Sequence, residues 1–393
     1  MGRSHEDRLT TSHHVLPDRA ARRAVTAVFL ANGLGLSTWV TRIPDVQADL
    51  GLREVTLGIV LAALAAGVIT GLVAAGRVSP KTGSRAVAVF GAGVVAVALP
   101  LIALTTGPMV LATALFFLGL GTSTMDVGMN AQGVGVERAY GRSIMVGLHG
   151  AWSVGALLGA LLGGLAIATG TAVGVHLSGV AVVIGGIGIT AAPWLRVVDR
   201  AARGTPGRFA LPRGALFPLA LIAFAAALGE SSAADWSGIH LRDVVAVAPE
   251  RIAWGFIALT AAMTTVRLIG DTLVRRFGAR FVIVAGGWIA GLGFLLIALV
   301  AALPAALLGF VMVGAGTGVT IPLAFAAAGR VADSPGEGVA AVASVGYLAY
   351  VVGPPAIGAI ADLIALPVAF GLAGVVLLGL NAVALRGAGA DDL

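Results

Sequence analysis

The chain has 393 residues, 58% of them hydrophobic and only 11% charged, with a mean hydropathy of +0.98. A soluble protein carries about a quarter charged residues, so a soluble fold is excluded. Cysteine is absent, which removes disulfides, thiolate metal sites and thiol catalysis. Lys and Arg exceed Asp and Glu by 25 to 19, an excess whose placement speaks for a membrane rather than nucleic acid.

Residues 1–20 are polar and read as a cytoplasmic tail, because the apolar run that follows is full length and lacks a small-residue cleavage site. Gly2 does not meet the acylation pattern, since residue 6 is Glu. His5, His13 and His14 read as tail residues, not metal ligands. Apolar runs of about twenty residues, the length that crosses hydrocarbon, then recur to the end. They predict twelve spans at 21–41, 54–76, 86–104, 109–136, 143–168, 172–195, 214–237, 251–273, 281–303, 305–330, 338–363 and 366–386. The one long hydrophilic connection, 196–213, separates six spans in 21–195 from six in 214–386, and 387–393 form a second tail. Basic residues gather in the tails and in alternate loops, leaving Arg42, Arg53, Arg242 and Arg251 on the other side. That asymmetry predicts cytoplasmic termini.

The first span holds one strongly polar side chain at depth, Asn32. Arg42, Asp45 and Asp49 follow it and read as solvated loop charge. In the fourth span Asp126 follows an apolar run broken only by small hydroxyls. An ionisable group at such depth costs roughly 2.5–3.5 kcal/mol on insertion scales and marks a pathway or proton site by default. Asn130 and Glu137 share its helical face. His149, Trp152 and Ser153 share a face of the fifth span. Folding the two spans as a hairpin places Asn130 level with His149, and Asp126 level with Trp152 and Ser153.

Further along the fifth span, Gly155, Gly159, Ala160, Gly163 and Gly164 have the spacing of an antiporter motif, with alanine in place of its proline; the reading preferred here is close helix packing. His176 and Asn381 have no polar company at helical spacing and read as packing or snorkelling residues. Glu230 and Asp235 lie in the outer part of the seventh span, and Trp236 matches Trp39 of the first. Such tryptophans serve as interfacial anchors or as an outer gate. Thr260, Thr264, Arg267 and Asp271 share a face of the eighth span, where an Arg267–Asp271 pair is expected near the cytoplasmic end. Tyr347 and Tyr350 share a face of the eleventh, and Pro354 and Pro355 are expected to kink or break it.

The halves repeat. Gly83 and Gly278, Arg85 and Arg280, Lys81 and Arg276, and Gly121 and Gly316 are each 195 residues apart. Trp39 and Trp236, and Gly58 and Gly255, are 197 apart. A constant offset indicates a duplicated six-helix unit in which both copies keep one orientation. No nucleotide-binding loop, catalytic triad or zinc spacing is present, and the Gly-rich stretches lie inside spans.

Six plus six spans, a basic central loop and a Gly/basic loop after the second span of each half resemble the major facilitator superfamily of secondary transporters. Gly76 to Arg85, with Lys81 and Gly83, follows that family's loop pattern with Pro80 where it has aspartate; Asp271 to Arg280 repeats the pattern, again without that aspartate. Within the superfamily, residues 125–138, the His149–Trp152 segment and 235–244 are similar to the fucose-permease-like and YbjJ-like inner-membrane transporters. The resemblance implies an all-α membrane fold of two pseudo-symmetric six-helix bundles rocking about a midplane cavity. It implies no enzyme activity and no cofactor. Its partners are a small-molecule substrate, H⁺ and the lipid bilayer, with no nucleic acid, and the unit is a monomer.

On this reading Asp126, His149 and Glu230 serve proton coupling. Asn32, Asn130, Trp152, Ser153, Asp235, Trp236, Tyr347 and Tyr350 line the substrate cavity. Arg77, Lys81, Arg85, Arg267, Asp271, Arg275, Arg276 and Arg280 form a cytoplasmic gate. The expected activity is H⁺-coupled uptake of a small polar solute. The alternatives are an antiporter exporting amphipathic or cationic compounds and a non-transporting sensor on the same scaffold. Reporter fusions at Gly107 and Ala248 should read as external and one at Gly204 as internal; an external reading at Gly204 would overturn the topology.

Overall fold

The structure is a computed structural model and describes residues 19–141, 144–195, 212–332 and 334–387. The expected tail over residues 1–20 and linker over 196–213 lie almost wholly outside the described residues, as does the tail at 387–393. Among the described residues there are thirteen α-helices: α1 Arg19–Asp49, α2 Glu54–Thr82, α3 Ser84–Ala103, α4 Pro108–Tyr140, α5 Met145–Ala168, α6 Val173–Ala191, α7 Leu216–Ile239, α8 Trp254–Phe277, α9 Ala279–Leu299, α10 Leu303–Thr317, α11 Thr320–Val331, α12 Pro335–Leu363 and α13 Leu366–Gly387. They make twelve candidate spans, because α10 and α11 are one crossing interrupted at Gly318–Val319. Helices are the expected solution in hydrocarbon, where each backbone donor and acceptor must be satisfied within its own segment. The even number of crossings puts both chain ends on one face of the bundle, called here the terminal face.

Helices α1–α6 pack into one bundle and α7–α13 into the other. In the first, α1 lies against α5 and α6, and α4 against α2 and α3; in the second, α7 lies against α12 and α13, and α10 against α8 and α9. The bundles meet through α2 with α12, α5 with α8, and α1 with α7. The duplication is visible in the backbone. Gly83, between α2 and α3, has φ 86° and ψ 149°; Gly278, between α8 and α9, has φ 81° and ψ 151°. Both are in the left-handed half of the map that favours glycine. The same turn chemistry thus joins corresponding helices in each half.

Three expectations need correction. First, α4 and α5 do not fold as a packed hairpin, for α1 takes the place against α5 that α4 was expected to fill. The small-residue face of α5 explains this. A methyl group added at Gly155 would overlap the Leu30 carbonyl and one at Gly159 the Leu34 carbonyl, so backbone touches backbone there, while one at Gly163 would overlap the Thr41 side chain. The packing reading of that glycine series is the one the structure bears out. Second, α1 does not stop near residue 41 but runs through Pro44 to Asp49, carrying Arg42 and Asp45 with it. Third, of the kink or break expected at Pro354 and Pro355, the break does not occur, for α12 is one helix from Pro335 to Leu363.

Gly155→Val should therefore destabilise the protein by roughly 1–3 kcal/mol, the usual cost of overfilling a packed contact. Gly179→Ala should be neutral, since nothing lies within 4 Å of a methyl there. Thermal unfolding of both purified variants in one detergent tests this, and equal melting temperatures would refute the α1–α5 contact.

Candidate functional site

Between the bundles lies a cavity of about 310 Å³, with a side chamber of about 80 Å³. Leu36, Trp39 and Val40 of α1 and an aliphatic face of α2, from Leu61 to Ile69, form one wall. Glu230, Ser231, Ala234 and Asp235 of α7 form another, with Tyr347, Tyr350 and Pro354 of α12 beside them. The four α7 residues are one helical stripe at i, i+1, i+4 and i+5, so two carboxylates enter the same space. Trp152 of α5 borders both chambers, and Ser153, Thr260, Thr264 and Arg267 line the smaller one.

A chain of polar contacts crosses this space from one bundle to the other. Asn32 of α1 donates through Nδ2 to the Thr122 carbonyl of α4 at 2.8 Å, and its Oδ1 accepts from Trp152 Nε1 at 2.9 Å. The face of Trp152 carries the Arg267 guanidinium, 5.6 Å from the ring centroid. Arg267 Nε donates to the Gly318 carbonyl at 3.0 Å, where the break between α10 and α11 frees a backbone acceptor. Its Nη2 lies 3.6 Å from Glu230 Oε2, an ion pair too long to be a closed hydrogen bond; that oxygen is buried and has no hydrogen-bond partner. Tyr350 is the other polar side chain interacting with Glu230.

Asp126 is half-buried, and its Oδ1 accepts from Asn130 Nδ2 at 3.0 Å, while the same amide donates to the Asp126 carbonyl. The two residues thus satisfy one another along α4. Glu137 has a different task, its Oε2 accepting from the Ile144 and Met145 amides at 2.7 and 3.0 Å. A carboxylate there satisfies the open donors of the first turn of α5.

His149 does not meet Asn130. It stands edge-on to Phe29 of α1, ring centroids 5.3 Å apart, with its side chain exposed. Arg267 does not pair with Asp271, which is exposed; the guanidinium turns inward to Glu230 and belongs to the cavity rather than to the terminal face. Trp236 is fully buried with its Nε1 unpartnered, packed near Gly358 of α12, and is not part of the cavity wall. Its repeat partner Trp39 does line the cavity. Tyr347 and Tyr350 line it as expected, their rings 6.5 Å apart.

At the face opposite the termini the bundles are sealed. Arg242, in a π-helical turn after α7, donates from Nη1 to the Pro44 carbonyl at 2.6 Å and from Nη2 to Gln47 Oε1 at 2.7 Å. Arg53 binds Asp362 through both oxygens, Nε to Oδ1 at 3.0 Å, and this carboxylate holds the Arg53 guanidinium still further on its protonated side. A methyl at Gly58 would overlap the Pro354 carbonyl and one at Gly358 the Glu54 carbonyl, so α2 and α12 touch backbone to backbone there.

Arg42 was expected in solvent but is only 3% exposed. It binds Asp45 at 2.6 Å, His176 Nδ1 at 3.1 Å and the Thr171 carbonyl at 2.8 Å, bracing α1 to α6. His176 and Asn381 both have partners after all, the latter donating to the Val284 carbonyl at 3.1 Å. Sequence reasoning missed Arg242 as a bundle-crossing residue. The signal was available, since the 197-residue offset sets Arg242 against Asp45 at the outer end of the repeat.

The terminal face is different. Arg77, Lys81, Arg275 and Arg276 are exposed there, with Arg85 and Arg280 half-buried. Among the described residues no ion pair joins the bundles through any of them. Arg275 bonds Thr272 of its own helix at 2.9 Å, and Arg276 stands over Phe277, its neighbour in the chain.

No family model matches the chain. It is 37% identical over 355 residues to an uncharacterized transporter, y4wD, of Sinorhizobium fredii, covering 90% of this chain and 94% of that protein. To an uncharacterized MFS-type transporter of Yersinia pestis it is 32% identical, covering 93% and 95%. Among solved structures it superposes on the nucleoside transporter NupG with a TM-score of 0.74, 13% identity and coverage of 93% and 98%. A bacterial homologue of the human lysosomal transporter Spinster, in an inward-facing and occupied conformation, gives 0.70 at 16% identity, covering 94% and 97%. At such identities the structures speak for the fold alone. The sequence relatives speak for more, because about a third of the residues agree almost end to end with a named MFS-type transporter. With its twelve spans in two repeated bundles around a cavity, the chain belongs to the major facilitator superfamily of membrane transporters.

Proposed function

We propose that the protein is an H⁺-coupled secondary transporter of the inner membrane, with the terminal face cytoplasmic, working by alternating access. The observation that carries this reading is the Glu230–Arg267 pair. A carboxylate oxygen beside the cavity is buried, unbonded, and 3.6 Å from a cation that also holds the backbone at a helix break. Adding a proton to Glu230 abolishes the attraction and leaves Arg267 anchored only to Gly318 and Trp152. Asp126, in the other bundle, supplies a second site. Asn130 is its only side-chain hydrogen-bond partner among the described residues, so, unlike Glu230, it can be neutralised without breaking an ion pair. The basic side chains of the terminal face support the orientation. The sealed outer face and the unpaired cations opposite it support a conformation open to the cytoplasm.

The cargo reading that the cavity favours is the amphipathic compound rather than the small polar solute. Most of the lining is aliphatic or aromatic, and few amide or hydroxyl groups face the space. A polar solute would leave its own donors and acceptors unmatched there. Export in exchange for protons is the corresponding direction.

Three outcomes follow for proteoliposomes with an imposed pH gradient and for the purified variants. Asp126→Asn should lose gradient-driven accumulation while exchange of substrate for substrate persists, because Asn keeps the shape of a protonated carboxyl but cannot release a proton; full accumulation by this variant would remove Asp126 from the mechanism. Arg267→Ala should lower stability, since stranding one member of a buried pair costs roughly 3–5 kcal/mol. The two side chains are 27% and 19% exposed, and solvent screening brings the loss below that range. Adding Glu230→Gln should restore most of it, and a double variant no more stable than the single one would exclude the pair. Arg242→Ala should open the outer face, read as increased labelling of a cysteine placed at Asp235; unchanged labelling would exclude this seal.

A further inference from the structure

Two carboxylates, Glu230 and Asp235, and one guanidinium, Arg267, are the charged groups on the walls of the cavity and its side chamber. Glu230 is matched to Arg267. Asp235 is matched to nothing: among the described residues no side chain or backbone group hydrogen-bonds to it or forms an ion pair with it. Asp126, the remaining carboxylate of this region, is bonded to Asn130 and lines neither chamber. With its acids ionised the cavity therefore carries one uncompensated negative charge with an apolar wall around it. A charge so placed is costly until it is neutralised.

The rest of the wall suits an organic cation. Trp39, Trp152, Tyr347 and Tyr350 offer aromatic surface, whose negative faces attract a delocalised or alkylated cation. Leu64 and Val68 on α2 face the same space and suit an apolar body. The volume, about 310 Å³, lies at the lower end of small-molecule sites, roughly 300–1,000 Å³. An anion finds no equivalent, because Arg267 is already held by Gly318, Glu230 and the face of Trp152.

Resting on the transporter reading, we infer that this cavity binds an amphipathic organic cation of single charge, with the Asp235 carboxylate as its counter-ion. The cation sits against the α7 stripe, its ring or alkyl body against the aromatic and α2 walls. The Glu230–Arg267 pair stays intact beside it. Asp235 is thus a specificity-determining residue, set apart from the proton site.

The test uses purified full-length protein in nanodiscs with no proton gradient, and equilibrium dialysis of N-methyl-4-phenylpyridinium, corrected with empty nanodiscs. The expected result is saturable binding of this cation. Its neutral analogue 4-phenylpyridine, at a pH where it is uncharged, and the anion biphenyl-4-carboxylate should bind about ten-fold more weakly or worse, a difference of ~1.4 kcal/mol. Asp235→Asn should lose affinity for the cation by about the same factor while Asp235→Glu retains most of it. Equal binding of cation, neutral compound and anion would overturn the inference, as would wild-type affinity in Asp235→Asn. If Asp235→Asn does not give a monodisperse protein, the charge series on the wild type decides alone. Because no gradient is applied, failure here leaves proton coupling untouched, and failure of Asp126→Asn to alter accumulation leaves this site untouched.

Discussion

A polar side chain in hydrocarbon has no water to turn to, so its partner must be another part of the protein. That constraint organises the interior of this transporter. Thr26, Thr70, Thr113 and Thr265 each return their hydroxyl to the carbonyl four residues back on their own helix. Asn32 cannot do so and reaches two other helices instead. Arg42 is buried only because Asp45, His176 and Thr171 together take up its donors. Neutral groups such as Trp236 Nε1 and both His240 nitrogens are left unpartnered at lower cost, but an unpartnered acid is another matter. Glu230 Oε2 and the Asp235 carboxylate are the acidic groups of the interior left short of partners among the described residues, and both face the cavity.

Apolar burial cannot hold such helices together, because lipid tails are as apolar as leucine. Close approach of backbones replaces it, and small residues permit that approach. Glycines serve two ends here. Within a bundle, Gly155 and Gly163 fix α5 on α1. Between bundles, Gly58 and Gly358 let α2 and α12 touch backbone to backbone at the face opposite the termini. The first kind of contact makes a rigid body. The second joins one bundle to the other.

Much of the fold was legible in the chain because it depends on periodic quantities. Span length, the charge asymmetry and the 195-residue offset are all read by counting, and the paired turns at Gly83 and Gly278 show the offset in the backbone. The cavity was legible in part. Asp235, Trp152, Tyr347 and Tyr350 were expected there and line it, and Glu230, expected as a proton-coupling residue, lines it with them. What failed was neighbourhood. Helical periodicity says which face a residue occupies but not which helix that face meets, so Asp126 was paired with Trp152 and Arg267 with Asp271. Packing decided otherwise. Glycine spacing on α5 selected α1 as its partner, and a helix break at Gly318 offered Arg267 an acceptor that no residue pattern announces. Arg242 was missed for a related reason, since nothing in its own segment says that Pro44 and Gln47 of the opposite bundle will lie against it.

The break at Gly318 also makes one long crossing into two levers. A guanidinium presents its donors in a rigid fork. In Arg267 one tine holds the carbonyl at the joint while another faces Glu230. The carbonyl at the joint of α10 and α11 and a carboxylate on α7 thus share one guanidinium. The lower lever, α11, ends at Val331 after Arg330, on the same side as the unpaired cations of the terminal face. One side chain thereby bridges Glu230 on α7 and the head of a twelve-residue helix, about 18 Å long, that runs to that face.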